Sequence, residues 1–265
     1  MTNEKTASAI HLTELNPEKV PEAIRSTELG SENATEAVRL TEFGHEKVTN
    51  AIRLTKWCLK TYGERIKLAT CFDAEGMVLL DMVSQLTEEP RVFTLDTGRL
   101  PSETYQVLDE AQSRYGISIE AYSPNAEEVE EMVKDHGINL FYASPQNRKL
   151  CCTVRKVNPL NRALANVDAW ITGLRRGQST FRAVVAPISS DKEGRTKVCP
   201  LADWSTDDVW GYIKARNVPY NKLHDKGYPS IGCAPCTRAI AAGEHIRAGR
   251  WWWESNNMKE CGLHV

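Results

Sequence analysis

Between residues 66 and 83 the chain reads IKLATCFDAEGMVLLDMV. Its apolar start, residues 66–70, predicts a β-strand, and the apolar run over residues 77–83 predicts the α-helix that follows. The loop between them leaves the end of a strand and enters a helix, where free backbone N–H groups and the helix dipole favour anions. It lacks the glycines and the lysine of a Walker motif, so this loop alone is weak support for a phosphate site.

The same alternation continues toward the C-terminus. Strands are expected at residues 91–95 and 117–122, helices at 102–115 and 126–136, and a last strand with its turn at 169–173. Strands that alternate with helices imply an α/β fold, with a parallel sheet flanked by helices on both faces. Ligands of such sheets bind at the carboxyl ends of the strands, near a switch in strand order.

The chain divides into three regions that differ in their sequence pattern: a repeat, an α/β part and a polar tail. Residues 1–54 repeat with a period of fourteen: Thr-Glu-Leu at 13–15 returns twice, the last time as Thr-Glu-Phe. Proline or glycine breaks each unit, so short helices that pack on the main domain or on each other are expected. Residues 55–246 hold the α/β alternation and then a helical, loop-rich part in which residues 205–208 form a capping box. Residues 247–265 form a polar C-terminal tail.

Composition and charge narrow the class of protein. The chain has 265 residues, 41% of them hydrophobic, and a formal net charge of −2, which gives no electrostatic case for nucleic acid or an acidic membrane surface. No run of eighteen apolar residues is long enough for a membrane span, and the first residues lack a secretory signal. A cytoplasmic protein is therefore expected. Thiols stay reduced in that compartment, so the eight cysteines indicate metal binding or catalysis rather than disulfides.

Two tight cysteine pairs are the strongest chemical signal. Cys151-Cys152 and Cys233-x-x-Cys236 supply four thiols in the pattern of a metal site. Zinc sites usually separate the cysteines of each pair by about two to four residues. Adjacent cysteines chelate one tetrahedral ion awkwardly, but they can bind two different irons of a cubane. The spacing favours an iron–sulfur cluster and leaves a structural zinc ion as the alternative.

A further cysteine, Cys261, lies in the polar tail. A thiol on a mobile tail can reach a site and then a second partner, as nucleophilic chemistry followed by thiol exchange requires. The alternative is a cysteine with no role, since cysteines near a terminus are common accidents.

Two more strand-end loops carry arginine. Residues 96–99 (DTGR) and 173–176 (GLRR) each follow a predicted strand, as the loop at residues 70–76 does. Guanidinium groups suit bidentate contacts with oxyanions. Each of these arginines is, taken singly, more often a solvated surface side chain. Three loops at strand ends that all supply N–H groups or arginine favour an anion site.

Six motifs occur together in the chain: residues 95–99 (LDTGR), 151–156 (CCTVRK), 171–176 (ITGLRR), 233–238 (CAPCTR), 247–254 (RAGRWWWE) and 260–264 (ECGLH). In order and spacing they resemble the assimilatory adenosine 5′-phosphosulfate (APS) reductases, a family related to the 3′-phosphoadenosine 5′-phosphosulfate (PAPS) reductases. The similarity runs from about Leu54 to the last residues.

The resemblance implies a fold, a cofactor and a reaction. The fold is the adenine-nucleotide α-hydrolase-like (PP-loop) fold, and the four paired cysteines hold a [4Fe–4S] cluster. Cys261 attacks the sulfate sulfur of APS, expels AMP and becomes an S-sulfocysteine, from which thioredoxin releases sulfite. Lys156, Arg247 and Arg250 offset the charge of the sulfate. The remaining residues expected to bind substrate are Thr70, Asp96, Thr97, Gly98, Arg99, Gly173, Arg175, Arg176 and Arg182.

One loop departs from the family pattern. The first strand-end loop of the family commonly reads Ser-x-Ser-Gly-Ala-Glu-Asp, whereas here Asp73 replaces the glycine and Gly76 replaces the aspartate. An acidic Asp73 beside a phosphosulfate is unfavourable unless its side chain points away, so the part this loop plays in binding is open.

Alternative interpretations make different predictions. A PP-loop tRNA thiolase predicts a Ser-Gly-Gly-x-Asp-Ser loop and a basic RNA-binding face, and the sequence has neither. A non-enzymatic zinc module predicts bound zinc and no consequence of removing Cys261. Dual use of APS and PAPS stays open, and so does a homo-oligomeric state.

Overall fold

The computed structural model describes residues 45–254, 260, 262 and 263, so the repeats predicted before residue 45 lie outside the described residues. The third repeat unit continues into helix α1 (His45–Tyr62). Buried apolar side chains recur along this helix three or four residues apart, which places one face of it on the core. The helix continues past residue 54, where the sequence analysis places the end of the repeat segment; that division into domains stays a prediction. The buried face comprises Val48, Ala51, Leu54, Thr55 and Cys58.

Six strands form one sheet in the order β3-β2-β1-β4-β6-β5. Strands β1 to β4 pair in parallel, as predicted. Two further strands were not predicted: β6 pairs in parallel with β4, and β5 runs antiparallel to β6. Only five residues join β5 to β6, too few for the crossover that a parallel pair needs. The strands are β1 (Ile66–Ala69), β2 (Val92–Leu95), β3 (Ile119–Tyr122), β4 (Ala169–Ile171), β5 (Ile188–Ser190) and β6 (Thr196–Val198).

Helices flank the sheet and connect its strands. They are α2 (Ala74–Leu86), α3 (Ser102–Tyr115), α4 (Ala126–His136), α5 (Pro145–Cys152), α6 (Asn158–Ala163) and α7 (Thr206–Ala215), with a π-helical segment over Thr153–Val157 between α5 and α6. The predicted capping box is confirmed: the Ser205 side chain accepts from Asp208 N, and the Asp208 side chain accepts from Ser205 N.

Helix α2 is buried on all sides over its first ten residues, which explains the uninterrupted apolar run in the sequence. It packs between the sheet, α1 and α7. Its one charged residue in the apolar run, Asp81, is 2% exposed and accepts hydrogen bonds from Tyr212 Oη (2.7 Å), Tyr115 Oη (3.1 Å) and Arg216 Nε (2.7 Å). These partners replace the water that the carboxylate loses on burial.

The strand order switches between β1 and β4, which are neighbours although about one hundred residues separate them. The loops after these two strands therefore meet at one edge of the sheet. Gly173 makes their contact possible, because a Cβ atom at this position would lie 2.8 Å from Glu75 Cβ. None of the described helices is long and apolar enough to span a membrane.

Candidate functional site

A cavity of about 160 Å³ opens where the strand ends meet, and we call it the strand-end cavity. One side is apolar and includes Phe93, Leu160 and Trp170. Such a combination of an apolar wall and convergent polar groups is typical of a site for a small organic anion. The polar or charged side chains that line it are Thr70, Cys71, Asp73, Thr97, Thr104, Lys156, Thr172, Gln178, Arg182 and Arg247.

The sequence analysis named several of these lining residues. Thr70, Thr97, Gly173, Arg182 and Arg247 line the strand-end cavity, and so does Lys156. They come from the loops after β1, β2 and β4, from the π-helical segment and from the C-terminal region, so five separate segments converge here. Their contacts with a ligand stay predictions.

Other predicted substrate residues do not line this cavity. Arg175 is 4% exposed; its Nη2 lies 2.6 Å from Glu75 Oε1 and its Nη1 donates to Trp204 O. These bonds tie the loop after β4 to the start of α2, so Arg175 positions the cavity wall. Arg176 pairs with Asp203 and donates to Val185 O, and it is not part of the cavity lining.

The loop after β2 is fixed by its own hydrogen bonds. Asp96 Oδ1 accepts from Gly98 N (2.9 Å) and from Tyr105 Oη (2.7 Å), and neither Asp96 nor Gly98 is part of the cavity lining. Gly98 has φ +67°, which suits glycine. Arg99 donates to Ile138 O and Asn139 Oδ1 and lies over the Phe141 ring, which directs it to a second cavity.

That second cavity, the thiol cavity, is lined by all four paired cysteines. Cys151, Cys152, Cys233 and Cys236 are each 8–9% exposed, and Thr97 Oγ1 lies 3.3 Å from Cys233 Sγ. The cationic side chains around them are Arg99, Arg148, Arg155, Lys156 and Arg250.

Lys156 lines both the thiol cavity and the strand-end cavity. It lies in the π-helical segment directly after Cys152, and π-helical turns inside helices frequently occur at functional sites. The wider turn gives Lys156 a direction that the regular continuation of α5 would not give. Its ammonium group can therefore act on both cavities.

Four thiols around one cavity are the donor set that either a [4Fe–4S] cluster or a structural zinc ion would need. Within residues 45–254 and the described part of the tail, no group of three or more His, Cys, Asp or Glu side chains is arranged to hold a metal ion. Burial raises the pKa of Cys233, but the charge of Lys156, the Thr97 hydrogen bond and Arg250 outweigh it, and its pKa is lowered. Burial raises the pKa of Cys151 and raises that of Cys236 to about 12, so the lowered pKa belongs to Cys233 and not to all four thiols.

Arg148 anchors the C-terminal segment to the helix that ends in Cys151-Cys152. It is 1% exposed and donates from Nε to Glu254 Oε1 (2.7 Å), from Nη2 to Glu254 Oε2 (3.2 Å) and from Nη1 to Glu260 O (2.7 Å). Its guanidinium group also lies over the Trp251 ring. The tail therefore begins from a fixed point beside the thiol cavity.

Cys261 lies outside the described residues, whereas the residues on either side of it are described. Glu260 accepts hydrogen bonds from Arg182 Nε (3.1 Å) and Nη2 (2.9 Å), and Arg247 Nη2 lies 3.5 Å away. Burial raises the pKa of Glu260, but these arginines lower it by more. Leu263 lines the strand-end cavity and packs with Phe93 and Leu160.

Asp73, in the first strand-end loop, both lines the strand-end cavity and caps the helix that follows. Asp73 Oδ1 accepts a hydrogen bond from Gly76 N (2.8 Å) and caps helix α2. A Cβ atom at Gly76 would lie 2.5 Å from Thr70 Oγ1 and 2.9 Å from Asp73 Oδ1. The two departures from the family pattern are thus coupled, because the carboxylate at position 73 occupies space that a side chain at position 76 would need.

This coupling predicts that Gly76→Asp destabilises the protein by about 1 to 3 kcal/mol, because it forces a second carboxylate against Asp73. The double variant Asp73→Gly/Gly76→Asp is expected to recover only part of the loss, because the contact with Thr70 Oγ1 remains and the helix loses its cap. Thermal unfolding of the single and double variants measures both. Equal destabilisation in the two variants would show that the positions are independent.

A second thiol, Cys71, lines the strand-end cavity. Desolvation by the surrounding protein, together with the Asp73 carboxylate, raises the pKa of this thiol well above its usual value. A raised pKa lowers the reactivity of Cys71 as a nucleophile, because the thiolate is the reactive form.

Sequence reasoning missed several residues of the site. Gln178 Nε2 donates to Glu75 Oε1 (3.0 Å), and its Oε1 accepts from Arg182 Nη1 (2.6 Å). Nothing in the sequence around Gln178 or Arg148 marks them. Glu260 had a signal, since it directly precedes Cys261 in one of the six motifs.

The sequence is similar to known enzymes over most of its length. Residues 65–239 match the family model of the phosphoadenosine phosphosulfate reductase domain. The chain is 51% identical over 203 residues to the adenosine 5′-phosphosulfate reductase of Burkholderia cepacia, covering 76% of this chain and 81% of that protein. It is 50% identical over 202 residues to the adenosine 5′-phosphosulfate reductase of Allochromatium vinosum, covering 76% and 79%.

Solved structures show the same fold. The phosphate complex of phosphoadenylyl-sulfate (PAPS) reductase from Candida auris superposes with a TM-score of 0.62 at 29% identity, covering 81% of this chain and all of that one. The FMN adenylyltransferase of Candida glabrata, in complex with FAD and pyrophosphate, has a TM-score of 0.51 at 13% identity, covering 94% and 83%. The second likeness concerns the fold alone.

Proposed function

The chain belongs to the phosphoadenosine phosphosulfate reductase family, and from that premise we propose how it works as an APS reductase. Its similarity to curated enzymes of that name makes it an oxidoreductase that reduces APS in assimilatory sulfate reduction. In our proposal the sulfur passes first to the thiol of Cys261, and a thioredoxin-type dithiol then releases it as sulfite. One observation carries this proposal: Lys156, Arg182 and Arg247 converge on a cavity that Leu263, two residues after Cys261, also lines.

The strand-end cavity has the two halves that APS needs. Its apolar wall suits the adenosine, and its cations suit the phosphosulfate. Arg182 and Arg247 come together around the Glu260 carboxylate, and this supports the proposal that they bind the phosphosulfate. Gln178 and Arg175 hold the surrounding loops in place.

The chemical step is a displacement at sulfur. The thiolate of Cys261 attacks the sulfate sulfur, the bond between that sulfur and the bridging oxygen breaks, and the electron pair leaves with AMP. Three negative oxygens on the sulfate would repel a thiolate in water, and the cations reduce that repulsion. The same cations favour the thiolate form of Cys261.

The thiol cavity would hold a [4Fe–4S] cluster on Cys151, Cys152, Cys233 and Cys236. A bound cluster would supply a fixed polar group and a structural link between α5 and the 233–236 segment. Lys156 lines both the thiol cavity and the strand-end cavity. The charge of a bound cluster would therefore affect the substrate through Lys156. We further propose a cytoplasmic enzyme without nucleic-acid partners, since reduced thiols and a near-neutral charge suit that setting.

Sulfite release tests the proposed function. Purified protein with its cluster intact is mixed with APS or PAPS, together with thioredoxin, thioredoxin reductase and NADPH. Sulfite formation from APS at a rate that depends on thioredoxin supports the proposal. Equal use of both nucleotides would show a dual-specific enzyme, and no sulfite from either would refute it.

Asp73 gives APS binding a predicted pH dependence. Burial, with a contribution from Glu75, raises the pKa of Asp73 to about 6. Above that pH the carboxylate repels the phosphosulfate, and below it the neutral carboxyl does not. Lowering the pH from about 7.5 to about 5.5 is therefore expected to strengthen APS binding about threefold to tenfold. Phosphosulfate itself does not titrate in this range.

Calorimetry on the Cys261→Ser variant, which cannot react, measures this binding. The added change Asp73→Asn keeps the helix cap and removes the charge, so it is expected to abolish the pH dependence. The same pH dependence in both proteins would assign it to another group.

A further inference from the structure

A third cavity, the outer cavity, lies on the other side of the C-terminal segment. Its volume is about 870 Å³. Glu260 and Gly262, which flank Cys261 in sequence, line it, whereas Leu263 lines the strand-end cavity. Arg182 lines both. The segment that carries Cys261 thus separates the two cavities.

The release of sulfite from the S-sulfocysteine gives the strand-end cavity and the outer cavity different roles. A thiolate that attacks the Sγ atom of S-sulfocysteine must approach opposite the bond to the departing sulfite. In the proposed first step the sulfate lies among the cations of the strand-end cavity, so we expect the sulfite to leave on that side. The attacking thiolate therefore comes from the outer cavity.

The outer cavity has the surface of a protein-binding site. Phe181 is 44% exposed and Val184 is 87% exposed, and both line this cavity. An exposed aromatic and an exposed aliphatic residue together are typical of an interface core. Val185 and Ala186 continue the apolar surface.

The rim of the outer cavity is basic. Lys149, Lys192 and Lys197 line it. The acidic residues in its lining, Glu254 and Glu260, are engaged by Arg148 and Arg182. A partner with acidic groups around an apolar patch complements this surface.

We propose that the outer cavity, with Phe181 and Val184 at its centre, is the docking surface for the dithiol protein that reduces the enzyme. The partner is a protein of the thioredoxin type, with an apolar, acid-flanked surface around its reactive thiol. This inference rests on the proposed function, because it needs an S-sulfocysteine at Cys261.

The release of sulfite at this surface conserves atoms and electrons. The partner's first thiolate forms a bond to Cys261 Sγ as the bond from Sγ to the sulfonate sulfur breaks, and sulfite leaves with that electron pair. The partner's second thiol gives up its proton and attacks the mixed disulfide, which returns the Cys261 thiolate. The dithiol is oxidised to a disulfide, and the sulfur of APS is reduced by the same two electrons.

The test compares a protein reductant with a small one. In Val184→Glu and Phe181→Glu the KM for thioredoxin is expected to rise about tenfold or more. The rate of sulfonate transfer from APS without reductant, and turnover with dithiothreitol, are expected to stay unchanged. Ile138→Glu is the matched control, since Ile138 is 61% exposed and does not line the outer cavity. Val184→Lys introduces a charge of the opposite sign and is expected to cost less than Val184→Glu.

An unchanged KM for thioredoxin in Val184→Glu and Phe181→Glu, with normal sulfonate transfer, would overturn the docking surface alone. An equal rise in Ile138→Glu would also overturn it, because the effect would then come from charge anywhere on the molecule. Absence of sulfonate transfer in the unaltered protein would refute the proposed function and this inference with it.

Discussion

Replacing Cys261 by serine is expected to lower sulfite formation by at least about a thousandfold. A serine hydroxyl at neutral pH is a far weaker nucleophile than a thiolate, and no general base beside it compensates in the proposed mechanism. APS binding is expected to persist, because Lys156, Arg182 and Arg247 are unchanged. A thioredoxin-coupled assay and calorimetry with APS measure the two quantities separately.

The control for this variant is the other thiol near the substrate. Cys71→Ser is expected to retain sulfonate transfer from APS, since the raised pKa of Cys71 keeps that thiol protonated. Turnover of Cys261→Ser within tenfold of the unaltered protein would contradict the mechanism. Loss of sulfonate transfer in Cys71→Ser, with APS still bound, would point to Cys71 as the nucleophile.

Cys233→Ala is expected to lose the cluster and nearly all activity. Cys233 belongs to the set of four thiols around the thiol cavity, and a [4Fe–4S] cluster needs a protein thiolate at each iron. The visible absorption of the purified protein and its iron content measure the cluster directly. Activity is expected to fall because Lys156 and the 233–236 segment line the thiol cavity, and they would lose the cluster that holds them in place.

A buried cysteine outside the four is the matched control. Cys58 is fully buried in the core and packs against α2 and the sheet, far in the fold from the thiol cavity. Cys58→Ala is expected to keep its iron and its colour, with a modest loss of stability from the smaller side chain. Full iron content in Cys233→Ala would mean that the ligands are other residues. Zinc in place of iron in the unaltered protein would favour the structural zinc site.

The fold was predictable because its signals are local. The apolar run of α2 and the alternation of strands and helices follow from period and composition, and they place the ligand loops at the strand ends. Strands β5 and β6 were not predicted, because Ile188–Ser190 and Thr196–Val198 are three-residue strands with little pattern of their own. The antiparallel direction of β5 depends on the short turn that joins it to β6.

The site was predictable in residue type but not in side-chain direction. Arg175 and Arg176 are adjacent in a motif with two arginines, yet one pairs with buried Glu75 and the other with Asp203. Tertiary packing sets such directions. The direction of the Asp73 side chain was likewise not predictable, since its charge alone indicated only repulsion of an anion. Its role as the cap of α2 depends on the absence of a side chain at Gly76.

The most direct test of the central claim is the intact mass of the reduced protein after mixing with APS in the absence of any reductant, with PAPS in a parallel sample. The mechanism predicts one sulfonate group on the peptide that contains Cys261, formed from APS and removed by added thioredoxin with release of sulfite. An unmodified protein that nevertheless releases sulfite once thioredoxin is added would contradict it, as would a sulfonate on any other cysteine.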